Sequence, residues 1–117
     1  MSKRINVKKK FSRAAGGLRL ALTDRSVRLQ AGLGLAAVLI GLCLHCTIGE
    51  WLAIAVSIGL VVTAEIFNTC LERLCDVYTE SEDGRIRIIK DMAAGAVLWA
   101  SLAAAGVGIL ILIAHLG

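Results

Sequence analysis

WLAIAVSIGLVVTAEIFNTCLERLCD, Trp51 to Asp76, is the stretch on which the fold turns. Its first fourteen residues carry no charge, and then Glu65, Asn68, Glu72 and Asp76 arrive in sequence. At ~100° per residue, offsets of three, seven and eleven residues place the last three about 300°, 340° and 20° from Glu65. Three carboxylates and an amide therefore share one helix face about 80° wide. The apolar run from Trp51 to Cys70 reads as a membrane span, with Trp51 as an interfacial anchor, and the polar stripe marks its end.

Working outward, the whole chain fits that setting. It has 117 residues, 57% of them hydrophobic, with twelve glycines and no proline, which is far from the composition of a water-soluble domain. Residues 31–48 form a first apolar span and residues 92–116 a third, the latter long enough to tilt. A short turn from Thr47 to Glu50 joins the first two spans, and a polar loop from Ser81 to Gly84 joins the last two. Length allows one domain, residues 1–117.

Residues 1–29 precede the first span. Lys3, Arg4, Lys8, Lys9, Lys10 and Arg13 form a basic tail suited to anionic lipid. Phe11, Ala14, Ala15, Leu18, Ala21 and Leu22 recur at helical spacing among arginines, predicting an amphipathic helix from Phe11 to Leu29 lying in the membrane interface. Thr23, Asp24 and Ser26 read as a break or cap where the chain turns into the bilayer. Met1 to Arg28 is too charged for a cleavable signal peptide, so the N-terminus is expected to be retained. No P-loop occurs, and no aromatic platform or reading motif stands behind the basic tail, which argues against nucleic acid as a partner. The predicted fold is an all-α membrane protein, a surface helix followed by three transmembrane helices.

Nine of the thirteen Lys and Arg residues precede the first span, and the other four, Arg73, Arg85, Arg87 and Lys90, lie between the second and third. The positive-inside rule then sets the N-terminus and the stripe at the cytoplasmic face. Cys43, Cys46, Cys70 and Cys75 sit within or beside apolar runs and read as small hydrophobes. The run Cys43, His45, Cys46 offers metal donors, but a site needs three or four ligands and nothing else nearby is read as supplying them. GLGLAA, with Gly32, Gly34 and Ala37, lies inside a span and reads as a small-residue packing surface rather than a dinucleotide loop.

The stripe divides by depth. Glu65 is seven residues, ~10 Å, deeper than Glu72, and a carboxylate there suits a general base for a lipid hydroxyl. Glu72, with Asn68 or Asp76, offers the oxygen ligands Mg²⁺ takes beside phosphates. Lys90 and Asp91 add a cation for phosphate oxygens and another acid, a set fit for phosphoryl transfer. A solvated network of Glu72, Asp76, Arg73 and Lys90 is the competing reading, and it leaves Glu65 and Asn68 unexplained. A small proton-coupled transporter would use an intramembrane glutamate, but such proteins have four spans and no use for the Lys90–Asp91 pair. A non-enzymatic membrane subunit has no use for a buried acid and amide in one stripe.

With these residues in view, the chain resembles the prokaryotic diacylglycerol kinase and undecaprenol kinase family, from roughly Phe11 to Ile113. The resemblance rests on E-x-x-N-[ST]-x-x-E-x-x-x-D, here Glu65, Asn68, Thr69, Glu72 and Asp76, and on KDMAAGAV, Lys90 to Val97. It implies a homotrimeric helical bundle in the bacterial inner or plasma membrane, with active sites between subunits. It also implies ATP-dependent, Mg²⁺-dependent phosphorylation of a lipid hydroxyl, undecaprenol ahead of diacylglycerol. Glu65 would be the base, Asn68, Glu72, Asp76, Lys90 and Asp91 would serve the nucleotide, and Glu72 would hold the metal. The diacylglycerol branch has a metal-binding glutamate in the surface helix. The nearest acid here is Asp24, displaced by about one position and followed by Arg25 as in the undecaprenol branch. Where members often carry histidine in the loop, this chain has Asp83 followed by Gly84.

Overall fold

A computed structural model describes residues 6–78 and 83–117. The described residues form four α-helices: α1 Val7–Ala21, α2 Arg25–Leu44, α3 Ile48–Tyr78 and α4 Gly84–Leu116. The last three are long and apolar enough to cross a membrane. Ser81 and Glu82 of the expected loop lie outside the described residues.

Helix boundaries differ from the expected ones for local reasons. The interfacial helix is two helices: Thr23 Oγ1 donates to the Leu20 carbonyl at 2.6 Å and ends α1. Asp24 then caps α2, accepting from the amides of Ser26 at 3.0 Å and Val27 at 3.3 Å. The segment from Arg25 to Leu29 is thus the first part of the first spanning helix, not the last part of the surface helix. At its other end α2 stops at Leu44, short of Ile48, because His45 takes a left-handed conformation, φ 54° and ψ 54°. The Cys46 amide bonds the Gly41 carbonyl at 3.2 Å and that of His45 the Leu42 carbonyl at 3.4 Å, a Schellman closure.

Thr47 to Glu50 is a helix start rather than a turn. The Thr47 amide donates to Glu50 Oε1 at 2.9 Å and the Glu50 amide to Thr47 Oγ1 at 3.2 Å, a reciprocal capping box. From there α3 runs unbroken for 31 residues, ~46 Å, through the whole stripe. α4 starts at Gly84, eight residues before the expected third span, with Asp83 as its cap accepting from the Arg85 amide at 2.9 Å.

Packing is antiparallel, α3 against α4 and α2 against α3. His115 Nε2 lies 3.0 Å from both Glu50 carboxylate oxygens at one end, and Lys90 Nζ lies 3.0 Å from Asp76 Oδ1 at the other. These two ties fix a register in which Glu72 is level with Ala94, and Glu65 with Ala100 and Ser101. α2 meets α3 through glycine. A Cβ at Gly34 would lie 2.9 Å from Ile58 Cγ2, and one at Gly41 would lie 2.9 Å from the Trp51 ring. Small-residue packing holds at Gly34, whereas Gly32 faces open space. Trp51 lies over Gly41, seated against α2.

The interior is thin: Val27, Ile54, Val61 and Cys75 are its buried apolar side chains, beside the polar Glu65, Asn68 and Thr69. Leu35, Leu39, Leu60, Leu98, Trp99, Leu110 and Ile113 are exposed along the spans. Apolar surface of that extent needs lipid or another subunit over it. α1 buries none of its residues, as an interfacial helix requires.

Candidate functional site

Asp24 sets the level at which the site sits. Besides capping α2, its Oδ1 accepts from Thr69 Oγ1 at 3.4 Å, and its Oδ2 lies 4.0 Å from Arg73 Nη2. The start of the first span is thereby docked at Thr69. Glu65 is four residues below that level, ~6 Å into the span, and Asp76 seven residues above it, ~10 Å out. Glu50, nineteen residues away, is ~28 Å below, close to the ~30 Å of a hydrocarbon core.

On the inner part of the stripe, Glu65 is 6% exposed, Thr69 8% and Asn68 9%, while Glu72 and Asp76 are exposed. Asn68 Nδ2 donates to Glu72 Oε1 at 3.0 Å, one turn along the helix. That bond commits the amide nitrogen and leaves Asn68 Oδ1 buried without a partner among the described residues. An unsatisfied buried carbonyl costs about 1–3 kcal/mol. Glu65 likewise has no hydrogen-bond or ion-pair partner among the described residues. Glu65 and Asn68 thus each present a carbonyl or carboxylate oxygen that no described residue satisfies.

A divalent cation of the Mg²⁺ type fits this donor set. Asn68 Oδ1 and Glu72 present hard oxygens one turn apart, with no sulfur or imidazole among them. Asp24, another oxygen donor, meets the same helix at Thr69 and Arg73. Lys90 and Asp76 pair with each other, so for these two the interfacial ion-pair reading holds as far as the contact goes. Such an exposed pair is worth little by itself and leaves the ammonium able to turn to a phosphate. Asp91 is exposed and has no partner among the described residues. Asp83 accepts from the Arg85 amide and then from its guanidinium, which holds its carboxyl below the ordinary value.

Thr69 and Arg73 belong to the assembly but stand outside the predicted site. Thr69 was within reach of the helical argument, since four residues from Glu65 it lies only ~40° round the helix. Arg73, adjacent to Glu72, points to Asp24 across forty-nine residues of sequence, and no local pattern records that. On α4, Ala93, Ala94, Gly95 and Ala96 stand at the level of the outer stripe, so small side chains accompany the polar ones.

The family model for prokaryotic diacylglycerol kinase matches residues 12–112. The chain belongs to the prokaryotic diacylglycerol kinase family. It is therefore a membrane lipid kinase, and the family implies use of ATP. Undecaprenol kinase of Bacillus subtilis (strain 168) is 30% identical over 109 residues, covering 92% of this chain and 89% of that protein. Diacylglycerol kinase of Synechocystis sp. (strain ATCC 27184 / PCC 6803 / Kazusa) is 36% identical over 87 residues, 74% of this chain and 50% of that protein. No solved structure gives a significant match.

Proposed function

We propose that this kinase transfers the γ-phosphoryl group of ATP to the terminal hydroxyl of undecaprenol, with diacylglycerol as the second acceptor, at the cytoplasmic face of the bacterial cell membrane. The observation that carries the reading is the depth of Glu65. It is a buried carboxylate with no partner among the described residues, ~6 Å inside the span, on the same helix face as the oxygen donors above it. A lipid hydroxyl can reach that depth while the nucleotide stays in water. Preference for undecaprenol draws on the Bacillus subtilis relative, which matches over most of both chains.

In this mechanism Glu65 accepts the hydroxyl proton as the lipid oxygen bonds to the γ-phosphorus. The bond from that phosphorus to the bridging oxygen breaks, and ADP leaves with the bonding pair. Asn68 Oδ1 and Glu72, with Asp24, would hold Mg²⁺, which when bound would neutralise phosphate charge. Lys90, Asp76 and Asp91 position the nucleotide, and Arg73 is free to turn from Asp24 toward phosphate. The apolar faces of the spans and the open side of the stripe support a homotrimer with sites between subunits. The weight of basic residues on the stripe's side of the membrane supports a cytoplasmic site.

The test is phosphate transfer from labelled ATP to undecaprenol and to diacylglycerol, in parallel, with purified protein in lipid. Faster turnover of undecaprenol is expected. A preference for diacylglycerol would reverse the substrate assignment, and no transfer to either lipid by a folded oligomer would refute the mechanism.

A further inference from the structure

The end of the bundle remote from the stripe holds a second polar cluster, on which phosphoryl transfer makes no demand. Cys46 lies in the connection between α2 and α3, Glu50 in the first turn of α3 and His115 in the last turn of α4. One donor atom of each lies within 4.8 Å of the others. The two donors that sequence alone fails to supply to Cys46 are thus provided by Glu50 and, from sixty-nine residues away, His115. We infer that Cys46, Glu50 and His115 form a binding site for a divalent transition metal, zinc in preference to magnesium or calcium.

The donor chemistry selects the ion. Thiolate, imidazole and carboxylate are the three side-chain types that zinc takes, whereas magnesium and calcium take oxygen. Three protein ligands leave a fourth tetrahedral position for water. Zinc bonds of ~2.0–2.3 Å imply donor separations of about 3.3–3.6 Å, so closing the cluster takes shifts of roughly 1 Å.

The backbone has already positioned two of the three ligands. The left-handed turn at His45 and the Cys46–Gly41 bond fix the path of the chain at Cys46, and the capping box with Thr47 pins Glu50. His115 Nε2 is 3.0 Å from both Glu50 oxygens, so the imidazole is already turned toward the site. With side-chain exposures of 19% for Glu50 and 23% for His115, the cluster is sheltered yet open to an ion arriving from water. Binding displaces the thiol proton to solvent and takes the imidazole as its Nδ1–H tautomer, so that Nε2 offers its lone pair to the ion. The bound ion ties the end of α4 to the α2–α3 connection, ~22 Å from the nearest residue of the stripe, Glu65, and independently of what the stripe catalyses.

Full-length protein, purified reduced and metal-free in detergent, is titrated with Co²⁺ and then Zn²⁺. The expected result is one Co²⁺ per chain with thiolate-to-cobalt charge-transfer absorption, displacement by Zn²⁺, and a raised melting temperature with Zn²⁺. Cys46→Ser should abolish the charge-transfer band, and His115→Ala and Glu50→Gln should each weaken Zn²⁺ binding by about tenfold or more, while Cys43→Ser changes nothing. Glu50→Gln keeps a side-chain acceptor for the Thr47 amide, so it separates loss of a ligand from loss of the cap. Absence of a charge-transfer band in the folded wild-type protein would overturn the site. So would a band that survives Cys46→Ser, or binding lost in His45→Ala but retained in His115→Ala.

Discussion

Replacing Glu65 by glutamine keeps the shape of the side chain and removes its charge, and two opposite effects should follow. The carboxylate is 6% exposed and unpartnered among the described residues, ~6 Å inside the level marked by Asp24 and Thr69. A charge at the bilayer centre costs about 2.5–3.5 kcal/mol on insertion scales and less toward the boundary. At this depth, Glu65→Gln should stabilise the fold by roughly 1 kcal/mol. Turnover should fall by ~10²–10⁴-fold, the usual contribution of a general base. Mg-ATP binding should change by no more than about twofold, because the cation donors assigned here, Asn68, Glu72 and Asp24, remain. Three measurements on one preparation decide it: initial rate of phosphate transfer to lipid, nucleotide affinity by calorimetry, and melting temperature in detergent. A rate within tenfold of wild type would refute the role of Glu65 as base. A loss of rate matched by an equal loss of Mg-ATP affinity would make it a ligand instead. Destabilisation would show that the carboxylate is held by a partner whose loss matters more than its desolvation.

Asp24 carries two roles that substitution can separate: Asp24→Asn keeps an N-cap acceptor and should alter stability by less than about 0.5 kcal/mol, whereas Asp24→Ala should cost ~1 kcal/mol. Both should raise the KM for Mg-ATP by about tenfold or more, and wild-type kinetics in Asp24→Asn would leave the residue as a cap alone. Gly34→Ala should destabilise by about 1–3 kcal/mol in thermal denaturation, since its Cβ would meet Ile58 Cγ2 at 2.9 Å. Gly32→Ala, with nothing within 4 Å, should stabilise by up to ~1 kcal/mol, and equal effects at the two sites would contradict the α2–α3 interface. Asp83 titrates below its unfolded value because the Arg85 amide and guanidinium favour its charged form. Its capping contribution is therefore complete above the ordinary carboxylate value and lost as pH falls through the lower, folded one. Melting temperatures of wild type and Asp83→Asn should diverge at neutral pH and converge as pH falls below the ordinary carboxylate range, and a constant difference would exclude the linkage.

Hydropathy located all three spans but placed their ends at the edge of the apolar run. The backbone continues for as long as nothing breaks it, and neither Leu71 to Tyr78 nor Arg85 to Asp91 contains proline or an internal glycine. Hence α3 and α4 carry their polar turns as continuous helix. The caps were present as residue types: Asp24 was read as one, whereas Thr47 and Glu50, spaced as a capping box, were read as a turn. Within the stripe, Glu65, Asn68 and Glu72 follow from a three-to-four residue period, and their different burial follows from depth. What no local pattern contains is the docking of Asp24 on Thr69 across forty-five residues, or of His115 on Glu50 across sixty-five. Those contacts depend on which helix lies beside which, and they decide the assignment of Asp24 and the existence of the remote cluster.

Two polar layers bracket the spans, Asp24 with Thr69 at one end and Cys46, Glu50 and His115 at the other. Between them, Arg28 is one turn inside and long enough to reach back to the interface. Apart from it and Arg25, at the mouth of α2, Glu65 is the sole Asp, Glu, Lys or Arg in the described spans between those layers. An acid placed there against its insertion cost suits the proposed role, since a lipid hydroxyl comes to that depth. The nucleotide, by contrast, is confined to water. From Glu65 to Asp76 the stripe runs eleven residues, ~16 Å, from inside the hydrocarbon to beyond its boundary. One uninterrupted helix face therefore joins the two phases in which the reactants are dissolved. A single helix of 31 residues can then bring them together. For the same reason the continuity of α3 through the boundary, rather than any single ligand on it, is the structural condition the reaction depends on.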